Sequence, residues 1–199
     1  GWCNKNVRSR LMGIPTLIKT LTASDSASLD FVDGTDDVVL DGTYDEYMFV
    51  CTDINPATDN TDFSFQVNAT DDAGGGYDTS LITSTAFVAS HDEGDTAVHS
   101  VEYDTGGDLA QSASFQVLFR DCGNGADESG ACILHIFSPS STTYVKHFYA
   151  TAQYMHYSPW ARTQYTAGYI NDASYAIDEI QFKFNVGNFD GVIQMYGIA

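Results

Sequence analysis

The feature that most constrains the fold is a two-residue alternation of apolar and polar side chains in residues 177–184, which is strict from Glu179 to Phe184. Neighbouring side chains of a strand point to opposite faces, so this period is typical of a half-buried β-strand. A second alternating run, residues 192–196, follows the turn-rich stretch 185–191. We predict that the two runs pair as a β-hairpin and close the ordered domain. The apolar face of the first run consists of Ile180, Phe182 and Phe184, and its polar face of Glu179, Gln181 and Lys183.

The rest of the chain repeats short strand-like segments separated by turns rich in Asp, Gly, Asn and Ser. Twelve Tyr and twelve Phe suit strands, and no segment carries a 3.6-residue stripe. This spacing is typical of a sandwich or barrel, so we predict an all-β, antiparallel, jelly-roll-like β-sandwich forming one domain, residues 12–199. Strands are predicted near residues 16–22, 28–32, 47–54, 63–69, 81–90, 98–103, 114–120, 132–137, 143–157 and 165–170, besides the closing pair.

The charge is strongly acidic, −19, but unevenly distributed. Lys5, Arg8 and Arg10 supply three of the eight basic residues, and residues 1–11 contain none of the twenty-seven acids. We predict that residues 1–11 are a basic N-terminal extension suited to an acidic neighbour, or an upstream addition to a natural start at Met12. The acidic remainder disfavours direct nucleic-acid binding. The sequence predicts neither a transmembrane helix nor a signal peptide.

Metal and disulfide sites are weakly indicated. Cys3, Cys51, Cys122 and Cys132 lack zinc spacing, so no metal or other cofactor is predicted. Cys122 and Cys132 flank a polar loop whose ends would meet across a hairpin, which leaves either a disulfide or two thiols. The glycine-rich acidic stretch 71–78 offers oxygen ligands for calcium, or simply faces water, and Asp121, Asp127 and Glu128 are a weaker cluster.

No catalytic site is predicted. His91, His99, His135, His147 and His156 are expected to be structural, because no GxSxG elbow or similar context accompanies them. We therefore predict that the chain is not an enzyme. An aromatic cluster is the best candidate for an interface or ligand surface, because such side chains contact proteins and sugars well. Its members are Tyr154, Tyr157, Trp160 and Tyr165.

Several motifs occur in fixed order between Thr16 and Ile198. They are Leu17-Ile-Lys-Thr-Leu21, Leu29-Asp-Phe-Val-Asp-Gly34, Val38-Val-Leu-Asp41, Tyr44-Asp-Glu-Tyr47, Ile54-Asn-Pro-Ala-Thr-Asp-Asn60, Tyr103-Asp-Thr-Gly106, Phe137-Ser-Pro-Ser-Ser-Thr-Thr-Tyr-Val-Lys-His-Phe148 and the closing segment 177–198. Together they resemble virion structural proteins of marine bacteriophages. The resemblance covers almost the whole chain except residues 1–11, and the cysteines and the basic start are not part of its pattern.

The resemblance implies a structural component of a phage virion, associated with capsid or tail as a decoration or fibre protein. The expected partners are other virion proteins and copies of the chain itself, most simply a trimer, since closed symmetry is the default for such parts. The alternative is a receptor- or carbohydrate-binding module at a tail-fibre tip, which would bind host surface glycans. A secreted hydrolase or adhesin is a third hypothesis, but it predicts a signal peptide. Membrane insertion is not expected.

Overall fold

The computed structural model describes residues 13–70, 77, 80–96 and 98–199. Within these residues the chain forms twelve antiparallel strands and no helix, which confirms the all-β prediction. No described segment is therefore a helix long and apolar enough to cross a membrane. The strands are β1 (Thr16–Ser26), β2 (Leu29–Val32), β3 (Glu46–Pro56), β4 (Thr61–Ala69), β5 (Ile82–Asp92), β6 (His99–Tyr103), β7 (Gln116–Cys122), β8 (Gly130–Phe137), β9 (Lys146–His156), β10 (Trp160–Ile170), β11 (Ile177–Phe184) and β12 (Phe189–Ile198).

The strands form two layers. The large layer has eight strands in the order β1-β12-β3-β8-β9-β10-β5-β6, and the small one has four in the order β2-β11-β4-β7. A single residue pair, Cys122 with His156, links β7 to β9 where the layers meet. The sheet is nearly closed, and its two layers pack on one shared core, as in a β-sandwich.

Eight strands pair in a nested manner that determines the topology. β1 pairs with β12, β2 with β11, β3 with β8, and β4 with β7. Two hairpins interrupt this nest: β5–β6 lies between β4 and β7 in sequence, and β9–β10 lies between β8 and β11. Both hairpins join the large layer beyond β8, and we call these four strands the extension.

The core between the layers is aromatic. The ring of Phe63 lies within 5.1 to 6.1 Å of the rings of Phe119, Phe182, Phe184 and Phe189. All of these side chains are buried, because strand alternation directs them between the layers. Each such ring pair adds about 0.5–1.5 kcal/mol beyond the burial of apolar area.

The predicted closing hairpin is wrong, although both of its strands exist. β11 pairs with β2 and β4 in the small layer, whereas β12 pairs with β1 and β3 in the large layer. The connection crosses between layers, and Gly187 takes a left-handed φ of 80° there. Both strands carry a buried apolar face, so they meet across the core instead of side by side.

Two predicted segments lie outside the described residues. The first is the basic N-terminal segment, residues 1–11, which includes Cys3. The acidic glycine-rich stretch 71–78 is the other, apart from Tyr77. The proposals of a docking arm and of a calcium loop therefore stay predictions from sequence.

Candidate functional site

The most distinctive surface of the molecule is the outer face of β6, β5, β10, β9 and β8. Side chains of these strands alternate between this face and the interior, so their outward positions form a continuous surface, which we call the aromatic face. The outward residues are His99, Val101, Tyr103, Thr83, Thr85, Phe87, Ala89, His91, Ala161, Thr163, Tyr165, Ala167, Tyr169, His147, Tyr149, Thr151, Gln153, Met155, Ala131, Ile133, His135 and Phe137.

Strand register aligns a row of apolar side chains across the aromatic face. Tyr103 pairs with Phe87, Phe87 with Tyr165, Tyr165 with Thr151, and Thr151 with Ile133. The rings of Phe87 and Tyr165 stack with centroids 4.9 Å apart and an angle of 13° between their planes. Directly opposite side chains on one face interact most strongly, so neighbouring members of the row support one another.

The aromatic face exposes much apolar surface. Thirteen large hydrophobic side chains are exposed in the described part of the chain, and six of them lie here. Their exposed fractions run from 41% at Ile133 to 74% at Val101. Contiguous apolar patches of this kind on soluble proteins mark contact sites. The six are Phe87, Val101, Tyr103, Ile133, Tyr149 and Tyr165.

The aromatic face also differs from the rest of the chain in charge. None of its outward positions, all of them on described strands, is Asp, Glu, Lys or Arg, although the chain carries twenty-seven acids. Four of the five histidines lie on it: His91, His99, His135 and His147. The carboxylates nearest to it, such as Glu46, lie at its margin. Depletion of charge at the centre of a patch is typical of protein interfaces.

Several polar groups on the aromatic face already have partners on the same molecule. The Thr163 hydroxyl donates to the Gln153 carbonyl oxygen at 2.7 Å, and the Tyr103 hydroxyl donates to Asp108 at 2.6 Å. The bond to Asp108 raises the pKa of Tyr103. His135 Nδ1 lies 2.5 Å from a Glu46 carboxylate oxygen. These groups can be covered by another surface without losing a hydrogen bond.

The four aromatic residues predicted as a ligand surface do not lie together. Tyr154 is buried and stacks on Phe119 with centroids 5.1 Å apart, and burial raises its pKa to about 12. Tyr157 and Trp160 both pack on His156 at the β9–β10 turn, with centroid distances of 4.3 and 4.6 Å.

Tyr165 alone of the four belongs to the aromatic face. Its stacking partner Phe87 was not singled out from the sequence, because Phe87 lies far away in the chain. The alternation around Phe87 predicted a strand but not which strand would lie beside it.

Behind the aromatic face lies a cluster of charged side chains between β7 and the extension. Arg120 donates to Asp104 at 2.8 Å, and Arg162 donates to Asp121 at 3.1 Å. The His156 ring nitrogen Nε2 lies 3.8 Å from the same Asp121 carboxylate. Burial, reinforced by Arg162, lowers the pKa of His156 below its ordinary value of 6.5. The pairs fasten the extension to β7.

Of the two alternatives left open for Cys122 and Cys132, the structure has the free thiols and not the disulfide. β7 and β8 lie in different layers, and strand register places Cys132 directly opposite Cys51. Cys51, Cys122 and Cys132 are buried free thiols, and burial raises the pKa of Cys51 and Cys122.

Among the described residues, no three His, Cys, Asp or Glu side chains converge as metal ligands. Asp121 is instead bound by Arg162, and Glu128 accepts from the Gly125 amide.

A cavity of about 680 Å³ opens beside the loop between β8 and β9. Its lining includes four hydroxyl side chains between Ser138 and Thr143 and the rings of Phe137, Tyr144 and His147. Pockets of this size accommodate small ligands. None of the residues proposed from the sequence as a ligand surface lines it.

Comparison with known proteins gave no match: no family model, no curated protein and no solved structure is significantly similar to this chain.

Proposed function

We propose that this protein is a structural component of a bacteriophage virion, a homo-oligomeric decoration or fibre protein associated with capsid or tail. The proposal begins from the ordered motifs that resemble virion proteins. It assigns no catalytic residue and no cofactor to the chain, and its partners are copies of itself and other virion proteins.

The observation that carries the proposal is what those motifs do in the fold. In the motif 29–34, Phe31 is buried in the core, and the Asp33 carboxylate accepts a hydrogen bond from the Leu40 amide at 2.8 Å. In the motif 103–106, the Asp104 carboxylate accepts hydrogen bonds from the Gly106 amide and from the Arg120 guanidinium. The motifs thus supply core packing and turn hydrogen bonds, as expected of a protein selected for its shape.

The strand order gives a second line of support. Nested pairing of eight strands into two four-stranded sets resembles a double-sheet jelly roll, an architecture of viral capsid domains, lectins and cupins. One fold hosts several functions, so this order supports a virion role only together with the motifs. The uncharged aromatic face adds a surface suited to assembly.

Locating the chain on particles tests the proposal. Particles of the phage that encodes it would be purified by density gradient and analysed by mass spectrometry, with gold-labelled antibody localising the chain by electron microscopy. We expect a fixed number of copies per particle at one location on capsid or tail. A chain that is made during infection but is absent from purified particles would refute the virion role.

A carbohydrate-binding module is the second candidate, and the loop cavity is the observation that favours it. Aromatic rings beside hydroxyl groups suit sugars, because rings stack on sugar faces while hydroxyls exchange hydrogen bonds. The aromatic residues predicted from the sequence give less support, since Tyr154 is buried.

A glycan array tests this candidate with a matched pair of variants. Tyr144→Ala removes an exposed ring from the cavity lining, whereas Tyr175→Ala removes an exposed ring that does not line it. We expect Tyr144→Ala alone to lose binding. No binding by the parent chain to any glycan would remove this candidate and leave the structural proposal unaffected.

A further inference from the structure

We infer that the aromatic face binds the aromatic face of a second copy of this chain. The inference rests on the proposed homo-oligomeric function and adds to it the contact surface and the partner. Four of the five strands of this face, β5, β6, β9 and β10, lie outside the nested eight-strand arrangement, and only β8 belongs to it.

The size of the aromatic face fits a specific interface. Five strands about 4.8 Å apart and about eight residues long, at about 3.4 Å per residue, cover roughly 650 Å². A standard interface buries about 800 Å² on each partner, so one such contact would use the whole face. The stacked Phe87 and Tyr165 lie inside this area, where aromatic side chains contribute most to binding.

Charge selects a second copy as the occupant. A chain of net charge −19 repels itself, and two copies that met through their acidic loops would place carboxylates opposite carboxylates. A basic partner would instead favour those acidic surfaces. The aromatic face lacks carboxylates at its outward positions, and Glu46, Asp95 and Asp108 only border it, so two identical chains place fewer carboxylates opposite each other there than through their acidic loops.

The internal hydrogen bonds favour a protein surface over a glycan. Thr163 is bonded to Gln153, His135 to Glu46, and Tyr103 to Asp108. A sugar platform needs polar groups that can exchange bonds with sugar hydroxyls, whereas these are already engaged. Groups satisfied within one chain can be buried by a second sheet at low cost.

The geometry of the contact follows from its symmetry. A surface that binds itself lies on a two-fold axis, and two flat sheets pack about 10 Å apart with interleaved side chains. The assembly would therefore contain an even number of copies. The trimer expected from the resemblance would fit only as half of a hexamer.

Two variants that each introduce a carboxylate, one inside the face and one outside it, test the contact. Tyr165→Glu places a carboxylate inside the face, and Tyr175→Glu places one at a similarly exposed site outside it. We expect the parent chain and Tyr175→Glu to form dimers or hexamers at micromolar concentration by sedimentation velocity. Loss of a central aromatic contact should raise the dissociation constant of Tyr165→Glu by at least about thirtyfold. Circular dichroism and thermal unfolding of the separated monomers verify that each variant is folded.

Mixing two oppositely charged variants of Tyr165 provides the second measurement. Tyr165→Glu and Tyr165→Lys should each assemble poorly, and an equimolar mixture should regain much of the parent's association because opposite charges then face each other. Equal dissociation constants for Tyr165→Glu and Tyr175→Glu would overturn the inference, since another surface would then carry assembly. A parent chain that stays monomeric, or that uses the face to bind glycans or another virion protein, would also overturn it. The virion proposal would survive either result if the chain is found on particles.

Discussion

Two pairs of neighbouring strands in the large layer show opposite distributions of polarity. The inward side chains of β3 and β12 are apolar, with Tyr47, Phe49, Ile193 and Met195 all fully buried. Half of the inward side chains of β5 and β10 are polar, and their outward side chains are aromatic or small. The buried polar set of β5 and β10 comprises Ser84, Ser90, Asp92, Gln164 and Thr166.

This difference separates side chains that stabilise the folded monomer from side chains whose positions the stability of the monomer does not explain. Burial of β3 and β12 against the small layer stabilises the monomer through the hydrophobic effect. In the extension, polar contacts such as Arg120 with Asp104 fasten the inner side, while Phe87 and Tyr165 stay 46% and 43% exposed. The folded monomer gains little from those exposed rings, so they fit a role in binding.

The largest expected effect is the difference in stability between a variant at a buried aromatic side chain and a variant at an exposed one. Phe182→Ala should lower the free energy of unfolding by about 3–5 kcal/mol, because it leaves a cavity in the aromatic core. Phe87→Ala, at a side chain 46% exposed, should cost the monomer less than about 1 kcal/mol. Urea unfolding at concentrations below self-association measures both. Similar costs would mean that the aromatic face belongs to the folding core.

A smaller effect is expected where the extension is fastened to β7. Asp104→Ala removes the acceptor of Arg120 and of the Gly106 amide, and should cost about 1–3 kcal/mol because these donors lose their partner. Glu102→Ala, at an exposed position on β6, is the control and should change stability by less than about 0.5 kcal/mol. Equal losses in urea unfolding would show that the Arg120 pair does not hold the extension.

The smallest effect is a pH dependence from His156. Burial lowers its pKa, so the unfolded chain binds the proton more tightly than the folded chain does. The resulting stability is fully present above pH 6.5 and is lost as the pH falls through the lowered pKa. His156→Gln should therefore flatten the dependence of unfolding free energy between pH 7 and 5, relative to His99→Gln at an exposed position. An unchanged slope would place the proton-linked group elsewhere.

Much of the secondary structure was predictable because strand alternation is local. The predicted strand positions match those observed within a few residues, and the apolar face formed by Ile180, Phe182 and Phe184 is buried as expected. His135 also lies opposite Leu134 and Ile136 as predicted, since neighbouring strand residues point to opposite faces.

The candidate site was less predictable because polarity misleads in the extension. Along β10 the more apolar set, which includes Ala161, Tyr165 and Ala167, points outward, while Gln164 and Thr166 are buried. From hydrophobic patterning, the apolar set of β10 is expected to point inward. The opposite orientation is found because β7 and its charged side chains pack against the inner face of β10. Sequence reasoning could therefore identify Tyr165 as a candidate contact but not the surface around it.

By itself, the sequence determined that this chain forms β-strands and where they lie, because the two-residue period depends only on neighbouring residues. The tertiary structure alone decided which strands are neighbours. It separated β11 from β12, placed Cys132 opposite Cys51, and set Phe87 beside Tyr165. Strand pairing joins residues far apart in sequence, and their choice of partner depends on how two layers close over one core, which no local pattern encodes.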